Sequence, residues 1–274
     1  MNIGRWSVAA IGAIAQITSF AAFAADLPPA PSYVKAPVMA PAYNWSGFYV
    51  GGNLGYGWGI NTNPAIAFGD PGAGLGTAFF FASGGNQYQN MTPRGVIGGG
   101  QFGHDWQAGN WVLGGVTDFQ GSAIKASSNS LVNLPGFNAN IGEPLSAQVD
   151  WLGTLRARLG LAQQNWLFYG TGGLAYGQVN STMGNIIPAP GLPSIVLSGS
   201  QTSIKVGWAA GAGVEYKLAS NWSIGLEYLY FNLGSDTVTA PVVANPVGLP
   251  AATFFSANQK FGGSIARAMV NYRF

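Results

Sequence analysis

The stretch Ala266 to Phe274 reads ARAMVNYRF, and its alternation decides the fold. Ala266, Ala268, Val270, Tyr272 and Phe274 fall on one parity, and Arg267, Met269, Asn271 and Arg273 on the other. A period of two is that of a β-strand, whose successive side chains point to opposite faces. An apolar stripe backed by two arginines raises the question of what lies on each side.

Composition narrows the environment. Charged residues make up 7% of the 274-residue chain, against about 25% in an ordinary soluble domain. Glycine supplies 42 residues, roughly twice its usual share. Beyond the N-terminus no stretch offers the 18 or more apolar residues of a membrane helix, so a membrane protein of this composition must cross with strands. The net charge of +2 comes without a Lys/Arg cluster, so the footprint of a nucleic-acid partner is missing. With no cysteine there are no disulfides, thiolate metal sites or thiol nucleophiles.

Residues 1–24 have the layout of a secretory signal: a short positive start to Arg5, an apolar Ala-rich run, and the small-x-small site Ala22-Phe23-Ala24. Cleavage is expected before Ala25, an uncleaved anchor being the alternative. Residues 25–43 carry Pro28, Pro29, Pro31, Pro37 and Pro41 and suit an extended periplasmic tether. Residues 44–274 are the expected barrel.

Asn-Trp occurs at 44–45, 110–111, 165–166 and 221–222, the last three about 55 residues apart, each before an alternating segment. Eight strands are expected, roughly at 47–58, 95–106, 111–120, 149–162, 166–179, 202–217, 222–233 and 258–274. Tight turns at 107–110, 163–165 and 218–221 alternate with long Gly-, Pro- and Ser-rich loops at 59–94, 121–148, 180–201 and 234–257. Asn suits the turns because it tolerates left-handed backbone angles. Short turns on one side and long loops on the other mark an outer-membrane barrel: all-β, eight-stranded, antiparallel and up-and-down, with short periplasmic turns and four long extracellular loops.

Facing follows from the pattern. In the fourth segment Asp150, Thr154, Arg156 and Arg158 oppose Val149, Trp151, Leu155 and Leu159; in the sixth, Lys205, Glu215 and Lys217 oppose Ile204, Val206 and Trp208; in the seventh, Ser223 and Glu227 oppose Trp222, Ile224 and Leu226. An Arg or Lys turned to lipid at mid-bilayer would cost about 2 to 4 kcal/mol, so the ionic face is the inner one. A soluble sandwich would instead carry many charges on its outer face. Aromatics gather in two belts: Trp106, Trp111, Trp166, Trp222, Tyr272 and Phe274 near the short turns, and Tyr56, Trp58, Phe119 and Trp151 near the long loops. Trp45 falls on the inner parity, which calls for a bend near Ser46-Gly47 to carry it outward.

Counted from the short turns, Asp118, Arg156, Arg158, Glu215, Glu227 and Arg267 lie about five to eight residues in, at similar depth. An eight-stranded barrel is just wide enough for side chains to fill, so these six are expected to pair as one plugging layer. Separately hydrated charges lining a narrow pore are the alternative. Gly98 to Gly103 fits G-x-G-x-x-G, but no helix follows, so nucleotide binding is not expected. His104 is the single histidine, with Asp105 on the opposite face, which fits a structural place better than a catalytic or metal site. No cofactor is expected, and the loops offer neither an acidic calcium cluster nor a basic patch.

The segments WSGFYVGGNLGYGWG, NWVLGGVTDFQGS, VDWLGTLRARLG, LFYGTGGLAYG, GWAAGAGVEYKLASNWSIGLEYLYFNLG and the final NYRF, after the leader and ADLPPAP, together resemble the small alphaproteobacterial outer-membrane immunogenic β-barrel proteins, relatives of the opacity-type surface proteins. That family often has an acid at the position of Val116, while Asp118 is kept. The resemblance implies a non-enzymatic surface protein with outer-membrane lipid as its surroundings, porin-like in label, some of whose relatives are linked to haemin binding or host contact. A narrow diffusion channel for small solutes is the alternative function, and any ligand of the loops is left open. The resemblance also implies that Val270, Tyr272 and Phe274 form the C-terminal signal read by the barrel-assembly machinery.

Overall fold

The computed structural model describes residues 44–59, 64–69, 87–88, 90–134, 139–189, 192–244 and 253–274. The expected signal and tether lie outside the described residues. The strands are β1 (Gly47–Gly59), β2 (Ala65–Gly69), β3 (Gln87–Tyr88), β4 (Arg94–Ala108), β5 (Trp111–Leu134), β6 (Ala139–Gln163), β7 (Trp166–Ala189), β8 (Leu192–Lys217), β9 (Trp222–Ala244) and β10 (Phe254–Arg273).

Eight of them form an antiparallel meander in the order β1-β4-β5-β6-β7-β8-β9-β10, closed by pairing of β1 with β10 from Tyr49↔Arg273 to Gly59↔Gly263. Above the end of β1, β2 takes its place beside β10, pairing Ala257 with Ile66 and Phe254 with Gly69, and β3 adds to β2. Closure gives each of the eight meander strands two neighbours, the condition for a sheet to lie in hydrocarbon without unpaired backbone.

Three copies of the Asn-Trp repeat occupy one geometric position. Asn110, Asn165 and Asn221 each accept a backbone hydrogen bond, from Ala162 N at 2.7 Å, Lys217 N at 2.9 Å and Arg273 N at 2.8 Å. Each bond carries the ladder of one strand pair one step past its Trp, which stands outward at the strand's start. The left-handed backbone belongs to the residue before Asn: Gly109 has φ 61° and Gln164 has φ 55°. The left-handed angle expected at Asn thus falls one residue earlier in these two turns, and the carbonyl bond is one that any residue could accept. At Asn221 the side chain adds its own bond, donating to the Arg273 carbonyl at 2.7 Å.

Three of the expected long loops are largely strand. β5, β6, β7 and β8 run 24, 25, 24 and 26 residues, where crossing a bilayer takes about 9–11. The surplus stands beyond the upper aromatic belt. There the interior changes character: Ile124, Leu145, Val149, Val179, Phe231, Val238, Phe255 and Phe261 belong to one buried apolar cluster. The outer face of the same region carries exposed residues such as Lys125, Ser127, Gln148 and Thr182. Below the belt the barrel is ionic inside and apolar outside; above it, the arrangement is that of a water-soluble barrel.

Bulges sit at the changeover. Register shifts fall between Gly121 and Ile124, between Val149 and Trp151, and between Lys260 and Gly262, and Gly234 takes a left-handed φ of 80°. One extra residue exchanges the faces of a strand. On β6 this corrects the expected facing: Val149 is buried inside, and Asp150 turns outward, where Gln148, Gln178 and Asn180 donate to it. The β8–β9 ladder is interrupted between Leu197↔Val242 and Trp208↔Asn232. Within that interval Asp236 accepts from Ser203 at 2.6 Å and Lys205 at 2.9 Å, so side chains bridge the two strands.

Nitroxide labels test the reversal. At Leu155 and Leu226, exposed on the lower outer face, relaxation is expected to respond to oxygen dissolved in lipid. At Ser127, exposed on the upper wall, it should respond to a water-soluble nickel chelate. Equal water access at all three positions contradicts the assigned sidedness.

Candidate functional site

The interior of the membrane-spanning half is the chemically distinctive part of the molecule. Its side chains come from every long strand because a period of two aims alternate residues inward. Glycines on neighbouring strands leave the space: a Cβ at Gly103 would stand 2.4 Å from the Tyr49 ring, and one at Gly213 would stand 2.5 Å from the Tyr169 ring.

The six charges expected as one layer fall into two. In the upper layer Arg156 donates to Asp118 at 2.9 Å and to Glu227 at 2.8 Å. Arg267 donates to the same two acids, through Nη2 to Asp118 at 2.9 Å and through Nε to Glu227 at 2.7 Å. Each arginine thus bridges both carboxylates, closing a four-membered ring across the lumen. Thr154 and Thr171 accept the remaining Arg156 bonds at 2.9 and 2.7 Å, and Gln120 donates to Asp118 at 3.0 Å.

Arg158 and Glu215 belong to a lower layer, paired at 2.7 Å. Two residues missed in the sequence complete it. Asp105 lies 3.6 Å from Arg158 and 2.8 Å from Arg273, giving the chain Glu215–Arg158–Asp105–Arg273. Their parity was the available signal: Arg273 is six residues from Arg267, and Asp105 four from the buried Gln101. Among the described residues four acids therefore meet four bases in the lumen, without net charge. Val116 is buried beside both layers.

Aromatic rings thread the lower layer. Arg273 lies 5.6 Å from the Trp45 ring centroid and 4.8 Å from that of Tyr49, while Arg158 lies 5.7 Å from Tyr49 and 3.8 Å from Tyr169. The alternation of ring and guanidinium is a run of cation–π contacts in a desolvated space. Trp45 ends it. Gly47 takes a positive φ of 123°, but this does not carry Trp45 outward as expected; Trp45 is fully buried, packed with Val112, Ala162 and Leu167. Gln107 accepts from its backbone N–H at 2.7 Å, and Arg273 donates to its carbonyl. The segment leading into β1 thereby stoppers the short-turn end.

The belt residues stand on the outer face. Trp222 lies 5.1 Å from Tyr272, Tyr272 lies 5.3 Å from Phe274, and Trp166 lies 4.6 Å from Tyr216; Trp106 and Trp111 are exposed in the same rim. In the upper belt Trp58 meets Tyr228 at 6.2 Å and Phe119 meets Trp151 at 5.4 Å. Trp208 and Tyr230, 5.3 Å apart, extend that belt and had not been assigned to it. His104 sits outward between Phe48 and Trp106, at 4.3 and 4.2 Å, across the sheet from Asp105.

Replacing Asp118 by Ala leaves two guanidinium groups facing one carboxylate. A loss of about 3–5 kcal/mol is expected in urea unfolding of the micelle-embedded protein. Combining it with Arg267→Met should recover part of that loss, a coupling read by the double-mutant cycle. Additive losses contradict the closed ring.

The comparisons with known proteins agree with this geometry. Residues 20–274 match the family described as "Outer membrane protein beta-barrel domain". A "31 kDa outer-membrane immunogenic protein" of Brucella melitensis biotype 1 is 37% identical over 228 residues, covering 82% of this chain and 86% of its own. A "22 kDa outer membrane protein" of Rhizobium leguminosarum bv. viciae is 30% identical over 197 residues, covering 72% and 67%. Among solved structures, the outer membrane protein OprG of Pseudomonas aeruginosa aligns with a TM-score of 0.46 at 12% identity, covering 85% of this chain and 98% of OprG. The chain belongs to the outer-membrane β-barrel family that includes these alphaproteobacterial immunogenic proteins, and its place is the outer membrane.

Proposed function

We propose that the chain is a non-enzymatic structural surface protein whose lumen is sealed and whose upper wall and loops are displayed outside the cell. One observation carries this reading: two ionic layers and the Trp45 stopper lie in series, and the cavity between the layers is about 10 Å³, no more than one water occupies. A solute would have to separate Arg–carboxylate pairs that have no water to take their place, a step that costs several kcal/mol. The lone histidine, placed between rings on the outer face, fits no proton-transfer role in the lumen.

Planar-bilayer recording tests the seal. The purified barrel is expected to give no reproducible conductance steps, and steps that change on Arg156→Ala or Glu227→Ala would establish the narrow diffusion channel instead. Haemin titration of the same protein, followed by absorbance, reads loop binding separately.

The outer parity of Val270, Tyr272 and Phe274 supports the reading of this edge as the signal for the assembly machinery. Phe274→Ala is expected to lower severalfold the fraction of protein showing a heat-dependent gel shift in cells, while purified protein refolds in detergent at the unaltered yield. Equal loss in both settings would reduce Phe274 to a packing residue.

A further inference from the structure

On the outer face just above the upper belt, Arg94 of β4 is the cross-strand partner of Lys125 of β5. Both are exposed, and neither forms an ion pair with a described acid. Like charges directly opposite destabilise a sheet, so the pair sits at a cost that an anion would remove. The row continues from Lys125 to Gln148 and from Gln148 to Asn180. The acid in reach is already engaged: Asp150 accepts from Gln148 at 2.7 Å, Gln178 at 2.8 Å and Asn180 at 2.6 Å. Only one of these donors bonds Oδ1, which leaves that oxygen a further lone pair. Directly beneath, Phe119, Trp151 and Tyr176 form a run of rings at 5.4 and 6.1 Å spacing.

Above an apolar aromatic surface, one cross-strand row thus carries two unneutralised cations beside a carboxylate-amide cluster that can take hydroxyl groups. Those are the parts of an amphiphile with acyl chains below a head group in which sugar and phosphate lie side by side. The geometry points to a binding site on the outer face of β4–β7 for a phosphorylated glycolipid of the outer leaflet. Arg94 and Lys125 hold the phosphate, Asp150 takes a sugar hydroxyl, and the Phe119–Trp151–Tyr176 run lies against the acyl chains.

The probe is bisphosphorylated lipid A, doped into phosphatidylcholine nanodiscs holding the full barrel, with retained lipid counted by native mass spectrometry. Arg94→Gln with Lys125→Gln is expected to weaken retention about thirtyfold, the equivalent of two charge contacts at a membrane surface. Asp150→Asn should weaken it severalfold. Lys217→Gln, the loss of one cation at the opposite rim, should leave it unaltered, and Arg94→Lys with Lys125→Arg should restore it. The heat-dependent gel shift confirms that each variant is folded. Undiminished retention by the double Gln variant overturns the site. Equal displacement by phosphatidylglycerol, or an equal loss in Lys217→Gln, reduces it to bulk charge. Displacement by millimolar inorganic phosphate makes it a site for the free ion rather than the lipid.

Discussion

Hydrocarbon offers no partner to an N–H, a carbonyl or a charge, and this one deprivation organises the lower half of the molecule. The backbone answers it by closing the meander through β1 and β10. The side chains answer it by turning Asp105, Asp118, Arg156, Arg158, Glu215, Glu227, Arg267 and Arg273 to the inside. Inside, the same deprivation acts again, because a lumen filled by side chains holds little water. The charges must then satisfy one another, and Arg156 and Arg267 each reaching both Asp118 and Glu227 is the arrangement that leaves neither acid dependent on a single bond. Neutrality of the lumen, four acids against four bases, follows from the exclusion of water.

Above the belt the constraint is lifted and the ordinary one returns. Water is now outside, so apolar residues such as Phe231, Val238 and Phe255 move in and hydrogen-bonding side chains move out. The strands make this exchange without ending. Bulges at Gly121/Ile124 and Val149/Trp151 adjust the facing where the surroundings change. Two solvents meet along one continuous ladder.

How far this was readable in the sequence depends on which physics set each residue. Strand number, turn positions and the lower-half facing of the fourth, sixth, seventh and last segments were legible because lipid punishes any break in alternation: Leu155, Leu226 and Arg267 point where period two puts them. The upper extension was not, because Ser, Thr, Gly and Pro read as loop when taken locally, and only pairing with a neighbour makes Ser127 or Thr182 a strand residue. Val149 and Asp150 exchanged faces because a bulge leaves no mark in a count by twos. The lumen charges were found by parity, but depth measured along each strand cannot separate two levels in a tilted barrel, so Arg158 and Glu215 were joined to the wrong partners. Trp45 was misplaced by its type: a tryptophan at a strand start suggests a membrane interface, and here its ring completes the cation–π run instead.

The exposed face of the upper wall is written across strands rather than along them. Lys125, Gln148, Asn180 and Thr202 are consecutive neighbours in space, yet at least twenty residues separate each from the next in the chain. An antibody raised against the folded barrel would read such rows as a discontinuous epitope, recognising the cylinder and failing on the denatured chain or its peptides. Sequence drift at these alternate positions would alter that surface while leaving the apolar filling beneath untouched.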